Sequence, residues 1–320
     1  MDTPISILCF QNLKKSQEKL ITDIAPNIKI TTVDRSEPLE NIKFPNDVNI
    51  VLAWGQQCID PLLSQMPNLQ WIQTFSAGVD QILTPEVIKR NIPVSNSKGI
   101  HGVPISEYVF ANLLSHYRRL PEMQEQQINK NWNRIIGDEI FDKTIGIIGL
   151  GAIGREIAKR AKAFGLEVLA NKRHRTEELF IDRLYTDDEL DEMLPQCDIV
   201  VLALPLTPLT HHFFNSDKFN LMKKTACLVN ISRGDVVIEK DLIDALKDGV
   251  INHAILDVFE EEPLPSISPL WDLPSVTLTP HVSAFTPYYM DRALNLFAEN
   301  LKRFIQKKSL SNVIDPDIGY

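Results

Sequence analysis

The sequence predicts an α/β protein built from two doubly wound parallel sheets. Three observations predict it. Short apolar runs alternate with helix-like stretches along the whole chain. The alternation restarts in a cleaner form near residue 145. At that restart a G-x-G-x-x-G segment stands between an apolar run and a helical stretch. Strands that alternate with helices pair in parallel and carry helices on both faces of the sheet.

In the first series, 5–10, 49–54, 69–75 and 92–94 read as strands, with helical stretches at 64–66 and 85–90. Residues 105–119 carry Val109, Phe110, Leu113, Leu114 and Tyr117 at helical spacing, which predicts a long buried helix. A polar, amide-rich stretch, 122–132, follows. The second series has strands at 144–148, 167–170, 199–204, 227–230, 254–258 and 276–278, with helices at 152–164 and 240–247. It predicts a six-strand doubly wound unit over about 145–280. An amphipathic helix over 287–306 has no strand after it and is expected to pack back on the N-terminal part.

Composition excludes several classes. The 44% hydrophobic and 23% charged residues exclude a disordered chain, and 320 residues suggest about two domains. The formal net charge of −9 argues against a nucleic-acid partner, because neutralising phosphates needs a basic face. No apolar run reaches membrane-span length, and Met1-Asp2-Thr3-Pro4 lacks the basic start and apolar core of a signal peptide, so a cytoplasmic protein is expected. Cys9, Cys58, Cys197 and Cys227 form no CxxC pair; buried free thiols are expected, and no metal site.

In the glycine segment, Gly149 permits a tight turn out of the strand. Gly151 lets the backbone approach a pyrophosphate, and Gly154 lets helix and strand pack closely. Ala152 and Ile153 open the helix whose positive end would hold that anion. A carboxylate at the end of the next strand would take the ribose 2′-hydroxyl of NAD. The chain instead reads Asn171-Lys172-Arg173-His174-Arg175. Neutral Asn171 removes repulsion against a 2′-phosphate, and Lys172, Arg173 and Arg175 can pair with one. NADP(H) is therefore expected to be preferred, with NAD(H) possible.

Three polar positions follow later strands, where doubly wound sheets place ligands. Arg233, beside Gly234, suits bidentate capture of a carboxylate. The second is the acidic run Glu260-Glu261-Glu262. The third is His281, whose imidazole can deliver a proton near neutral pH. His101, His211 and His212 lack such a place and read as ordinary surface or core residues.

Together these segments resemble the D-isomer-specific 2-hydroxyacid dehydrogenase family over nearly the whole chain. The resemblance rests on Gly149 to Gly154, on Leu204-Pro205-Leu206-Thr207-Pro208-Leu209-Thr210, and on Asn230 to Gly234. It rests also on Asp257 to Pro265 and on Thr279-Pro280-His281. It implies two Rossmann-like or flavodoxin-like domains with a cleft between them. These are a substrate-binding domain of 1–100 plus 285–320 and an NAD(P)-binding domain of 101–284. It implies catalysis by Arg233, Glu262 and His281: the histidine as acid–base, the glutamate paired with it, and the arginine on the substrate carboxylate and carbonyl. It implies cofactor contacts from the glycine loop and from Asn171, Lys172, Arg173, Arg175, Leu204, Pro205, Thr210, Ile231, Ser232, Asp257, Ser283 and Ala284. Asp257 would meet the nicotinamide amide. Within Ser76-Ala77-Gly78-Val79-Asp80, the backbone amides of Ala77, Gly78 and Val79 would bind the substrate carboxylate. The implied reaction is reversible reduction of a 2-oxo acid to a D-2-hydroxy acid by NAD(P)H. The implied assembly is a homodimer joined through the helix after residue 100. Trp54 reads as a core residue or an apolar wall of the pocket. Two readings on the same scaffold stay open, a dinucleotide-sensing corepressor-like protein and a phosphite- or formate-type dehydrogenase.

Overall fold

The computed structural model describes residues 4–34, 36–79 and 81–316, so Met1, Asp2, Thr3 and Asp80 lie outside the described residues. The chain forms two compact units, Met1–Ile100 with Thr286–Tyr320, and His101–Phe285.

The first unit holds β1 (Ile5–Cys9), α1 (Lys15–Thr22), β2 (Ile28–Thr32), β3 (Val48–Ala53), α2 (Asp60–Leu63), β4 (Trp71–Thr74), α3 (Pro85–Lys89) and β5 (Val94–Ser95). The five strands are parallel in the order β2-β1-β3-β4-β5. This is the flavodoxin-like order. The central strands β1, β3 and β4 are short and largely apolar because they are buried; Leu8, Val51, Ala53 and Ile72 belong to one buried cluster with Leu62, Leu63 and Val87. Thr84 starts α3 by accepting the Val87 N–H, and Pro85 supplies the first-turn φ without losing a needed donor.

The second unit begins with α4 (Gly102–Tyr117) and α5 (Leu120–Ile128). It continues through β6 (Thr144–Ile148), α6 (Ala152–Ala163), β7 (Glu167–Asn171), β8 (Arg183–Tyr185), α7 (Leu190–Met193), β9 (Ile199–Leu202), α8 (Ser216–Leu221), β10 (Cys227–Asn230), α9 (Glu239–Lys247), β11 (His253–Leu256) and β12 (Val276–Leu278). Its parallel sheet runs β12-β11-β10-β9-β6-β7-β8. Successive side chains point to opposite faces of a strand. Accordingly Ile199 and Val201 join one buried cluster, and Val200 and Leu202 the other. That two-sided burial explains the near-continuous apolar runs.

The final helix, α10 (Tyr289–Ile305), belongs to the first unit. Its buried stripe of Ala293, Leu294, Phe297, Ala298 and Leu301 recurs at three- and four-residue steps. Phe297 stacks on Trp71, and Asn300 Nδ2 donates to Gln73 Oε1 at 3.1 Å.

The structure corrects or extends four readings. The second sheet has seven strands, because β8 pairs with β7 at the edge. Residues 64–66 form a turn; the helix there is the preceding α2, opened by Pro61. The amide-rich stretch contributes α5, a helix with no buried residue and so no apolar period to read. Cys9, Cys197 and Cys227 are buried thiols, but Cys58 is exposed. Trp54 is a core residue, stacked on Tyr289 and tilted against Phe75. Among the described residues no helix is long and apolar enough to cross a membrane.

Candidate active site

The second sheet reverses its strand order between β6 and β9, and the glycine turn leaves the carboxyl end of β6 there. Such a switch point is where doubly wound sheets bind ligands. Gly149 has φ +98°, and a Cβ on it would lie 2.6 Å from the Ala203 carbonyl oxygen. A Cβ on Gly154 would lie 2.5 Å from the Gly149 carbonyl oxygen. Both must be glycine to close the turn. Gly151 differs: a Cβ there would meet nothing within 4 Å of the protein. Open space over a bare backbone, at the N-terminus of a twelve-residue helix, suits close approach of a pyrophosphate. On the neighbouring loop, Thr210 Oγ1 donates to the Pro205 carbonyl at 2.6 Å and accepts the Thr207 N–H at 2.8 Å, which fixes Leu204 and Pro205 after β9.

The end of β7 differs from the linear reading. Asn171 is buried and its amide donates to Asp187 Oδ1 at 3.1 Å. Lys172 Nζ donates to Glu178 Oε1 at 2.7 Å, and Arg155 grips the same carboxylate through Nε at 2.8 Å and Nη2 at 2.7 Å. The Arg155 hydrogen bonds, with those of Lys172 and Thr176, outweigh burial and push the Glu178 carboxyl down to about 2. Arg175 pairs with Glu189. Arg173 is exposed and makes no ion pair among the described residues. The chain therefore brings two carboxylates, Glu178 and Asp187, to a strand end where its local sequence shows none.

Three adjacent strands, β10, β11 and β12, lead to the candidate catalytic side chains. After β10, Asn230 Oδ1 accepts both the Ser232 N–H at 3.1 Å and its hydroxyl at 2.7 Å, while Asn230 Nδ2 donates to the Arg233 carbonyl at 3.2 Å. This turn buries Ile231 and Ser232 and presents Arg233, whose Nη1 donates to the Ser232 carbonyl at 2.8 Å. A Cβ on Gly234 would lie 1.9 Å from the Phe259 carbonyl carbon, so only glycine lets this turn press against the loop after β11.

That loop carries Glu262. Its Oε1 accepts the Phe259 N–H at 3.1 Å, and its Oε2 lies 2.7 Å from His281 Nδ1. Partial burial works to raise the Glu262 carboxyl. The hydrogen bond and charge of His281, the Phe259 N–H and the Arg233 guanidinium outweigh it and hold the carboxyl below its ordinary value. An ionised carboxylate only accepts, so the proton between the two groups sits on Nδ1 and the other ring nitrogen, Nε2, is left for chemistry.

After β12, His281 adopts φ +51°, a left-handed conformation uncommon for a residue with a Cβ. Asp257 holds it there. Its backbone carbonyl accepts the His281 N–H at 2.9 Å, and its fully buried carboxylate accepts Val282 N–H, Ser283 N–H and the Thr279 hydroxyl at 2.9, 2.9 and 2.6 Å. The Thr279 hydroxyl has one proton, and Asp257 takes it. Tyr108 of α4, 2.7 Å away, must therefore donate to Thr279 Oγ1. Ser283 is buried and Ala284 half-buried beside this turn.

Sequence reasoning passed over His101. It is buried at the start of α4, and desolvation, then the charge of Arg233, lowers its imidazole to about 4, so it is neutral. Nothing in its local sequence distinguishes it; the signal is its place in space. In the first unit, Ser76 Oγ donates to the Gly78 carbonyl at 2.8 Å and Asn96 Nδ2 to the Ala77 carbonyl at 2.6 Å. None of the backbone N–H groups of Ala77, Gly78 and Val79 donates a hydrogen bond among the described residues.

Comparison with known proteins identifies the family. The profile of the D-isomer specific 2-hydroxyacid dehydrogenase NAD binding domain matches residues 110–283. A glyoxylate reductase of Thermofilum pendens is 38% identical over 277 residues, covering 83% of this chain and 80% of the relative. The crystal structure of a D-isomer specific 2-hydroxyacid dehydrogenase family protein from Aeromonas salmonicida superposes with a TM-score of 0.89 at 36% identity, covering 98% of this chain and 100% of that one. An NADPH-dependent glyoxylate/hydroxypyruvate reductase from Sinorhizobium meliloti, solved with NADP and sulfate, gives 0.84 at 27% identity, covering 99% and 100%. The chain thus belongs to the D-isomer specific 2-hydroxyacid dehydrogenase family, oxidoreductases that interconvert 2-oxo and 2-hydroxy acids with a nicotinamide dinucleotide.

Proposed function

We propose that this chain reduces small 2-oxo acids of the glyoxylate or hydroxypyruvate kind to D-2-hydroxy acids, with Arg233, Glu262 and His281 as its catalytic residues and NADPH as the preferred donor. The observation that carries the assignment is the 2.7 Å Glu262–His281 pair at the end of one strand beside the Arg233 turn of the next. The nicotinamide, when bound, supplies hydride chemistry. Gly149, Gly151, Ala152, Ile153 and Gly154 would hold its pyrophosphate. Leu204, Pro205, Thr210, Ile231, Ser232, Ser283 and Ala284 would line its ribose and ring; Asp257, its carboxylate fully buried against Thr279, Val282 and Ser283, would support the turn beside the ring rather than meet the amide.

His281 holds a proton at Nε2 and gives it to the carbonyl oxygen as that oxygen becomes an alkoxide. Glu262, ionised, keeps the ring oriented and stabilises its cationic form. Arg233 binds the substrate carboxylate and offsets the charge that develops on the carbonyl oxygen. The amides of Ala77, Gly78 and Val79, which donate no hydrogen bond among the described residues, are further candidate donors for a substrate carboxylate. NADPH preference is supported by exposed Arg173, which makes no ion pair among the described residues, and by the NADP complex of the similar S. meliloti enzyme; Lys172 and Arg175 would have to leave Glu178 and Glu189 to join it.

We propose further that two copies pair through α5 and the arm after it, where Ile128, Trp132 and Ile136 are 80%, 97% and 89% exposed. The residues of α4 at 109, 110 and 113 are committed to the core of their own unit.

A panel of 2-oxo acids run with NADPH and NADH in parallel tests the function. Turnover of glyoxylate or hydroxypyruvate, faster with NADPH, is expected. Cofactor binding without turnover, or turnover only of phosphite or formate, would replace the proposal with a sensor or with a dehydrogenase of a different acid.

A further inference from the structure

His211 and His212 follow Thr210 on the loop after β9, and neither has a part in the chemistry above. Their imidazoles lie side by side at a 32° tilt, with centroids 3.8 Å apart. His212 has φ +54°, and its N–H donates to the Asp235 carbonyl at 2.7 Å. This folds the pair over the turn that follows Arg233. One nitrogen from each histidine and one carboxylate oxygen of Asp235 lie within 4.8 Å of one another. Glu260 Oε1 stands 3.8 Å from His212 Nε2, on the loop that also carries Glu262. The site is empty.

We propose that His211, His212 and Asp235 bind a divalent transition-metal ion of the zinc class. The donor set selects the ion. Two imidazoles and a carboxylate suit zinc, nickel or copper, whereas calcium and magnesium take oxygen donors. The spacing fits as well. Bonds of about 2.0–2.2 Å to nitrogen and oxygen put two ligands of a tetrahedral ion roughly 3.3 Å apart. Both histidines are exposed and Asp235 is half-buried. Rotation of surface side chains is enough to close the remaining gap. Glu260 is placed to complete the shell or to hold its water. The chain's net charge of −9 favours any cation at its surface. An ion held here would join the loop after β9 to the turn after Arg233, two segments close in space and far apart in sequence.

The experiment is calorimetric titration of Zn²⁺ into the full-length chain, wild type beside His211→Ala, His212→Ala, Asp235→Asn and Cys58→Ser. Wild type and Cys58→Ser are expected to bind one equivalent per chain with the same affinity, and to melt at a higher temperature with Zn²⁺ than without it. Loss of an outer-shell partner weakens metal affinity by roughly 10–100-fold, so loss of a ligand in the other three variants should weaken it at least that much. All three ligands are at the surface, and circular dichroism checks that each variant is folded. Absence of saturable binding by the wild type would overturn the site. So would an affinity unchanged in both histidine variants, or a loss confined to Cys58→Ser, which would move the ion to the exposed thiol.

Discussion

His281 is held by groups that do not react. Its ring is fixed by Glu262 and its left-handed backbone by the buried Asp257. Losing a positioned proton donor costs about 10²–10⁴-fold in rate. His281→Ala should lower reductive turnover by that order while NADPH still binds, read by quenching of protein fluorescence; near wild-type turnover would remove His281 from the mechanism. Asp257 should behave differently. Asp257→Asn keeps the shape but turns one acceptor into a donor, leaving a buried donor unpaired at a cost of about 1–3 kcal/mol. In a unit of this size each kcal/mol lowers the melting temperature by roughly 2–4 °C. A calorimetric scan unchanged from wild type would mean that the carboxylate does not hold the turn. Both side chains stand out in the linear chain, His281 after a strand and a proline and Asp257 within a motif. His101, whose imidazole feels the Arg233 charge, has no local signature.

At the scale of elements, the loop after β7 is where the proposed preference for NADPH is tested. The linear reading counts cations there, and folding pairs most of them. Glu178 sits on Lys172 and Arg155 as an internal anion that would compete with a 2′-phosphate for them. A hydrogen bond to a charged group contributes about 1.5–3 kcal/mol. Glu178→Gln, which releases Lys172, should therefore lower the KM for NADPH by roughly tenfold while that for NADH stays put. A rise in the NADPH value would mean that Glu178 positions the cations instead. Acid stability gives a second readout on the same variant. The folded value of about 2 lies below the ordinary 4.5, so this pair stabilises the fold above pH 4.5 and that stabilisation is lost as pH falls towards 2. Glu178→Gln should lack that part of the acid-unfolding curve. Elements also differ in how readable they are. The central strands β6, β9 and β10 are buried throughout and mostly apolar, because both faces are covered. β8 is three residues at an edge, two of them charged or half-exposed, and α5 buries nothing, so neither carries a periodic signal.

For the whole molecule, the exposed apolar side chains after α5 give the proposed pairing a direct test. Light scattering on the wild type should return twice the chain mass of 36.3 kDa, and Trp132→Glu with Ile136→Glu should return the single mass. Equal masses for both proteins would exclude this face. By itself the sequence determined the α/β class, the dinucleotide turn, the order of the motifs and the identity of Arg233, Glu262 and His281 as candidates. Those are local properties: hydrophobic period, glycine spacing, residues directly after strands. Only the tertiary structure decided that Glu178 and Asp187 arrive at the end of β7, that Asp257 is wholly buried, that His211 and His212 face Asp235, and that the Glu262–His281 pair implied by the family motifs closes to 2.7 Å. Each of these joins residues distant in the chain, and only the parallel pairing of strands and the close packing of their loops brings such groups within bonding distance.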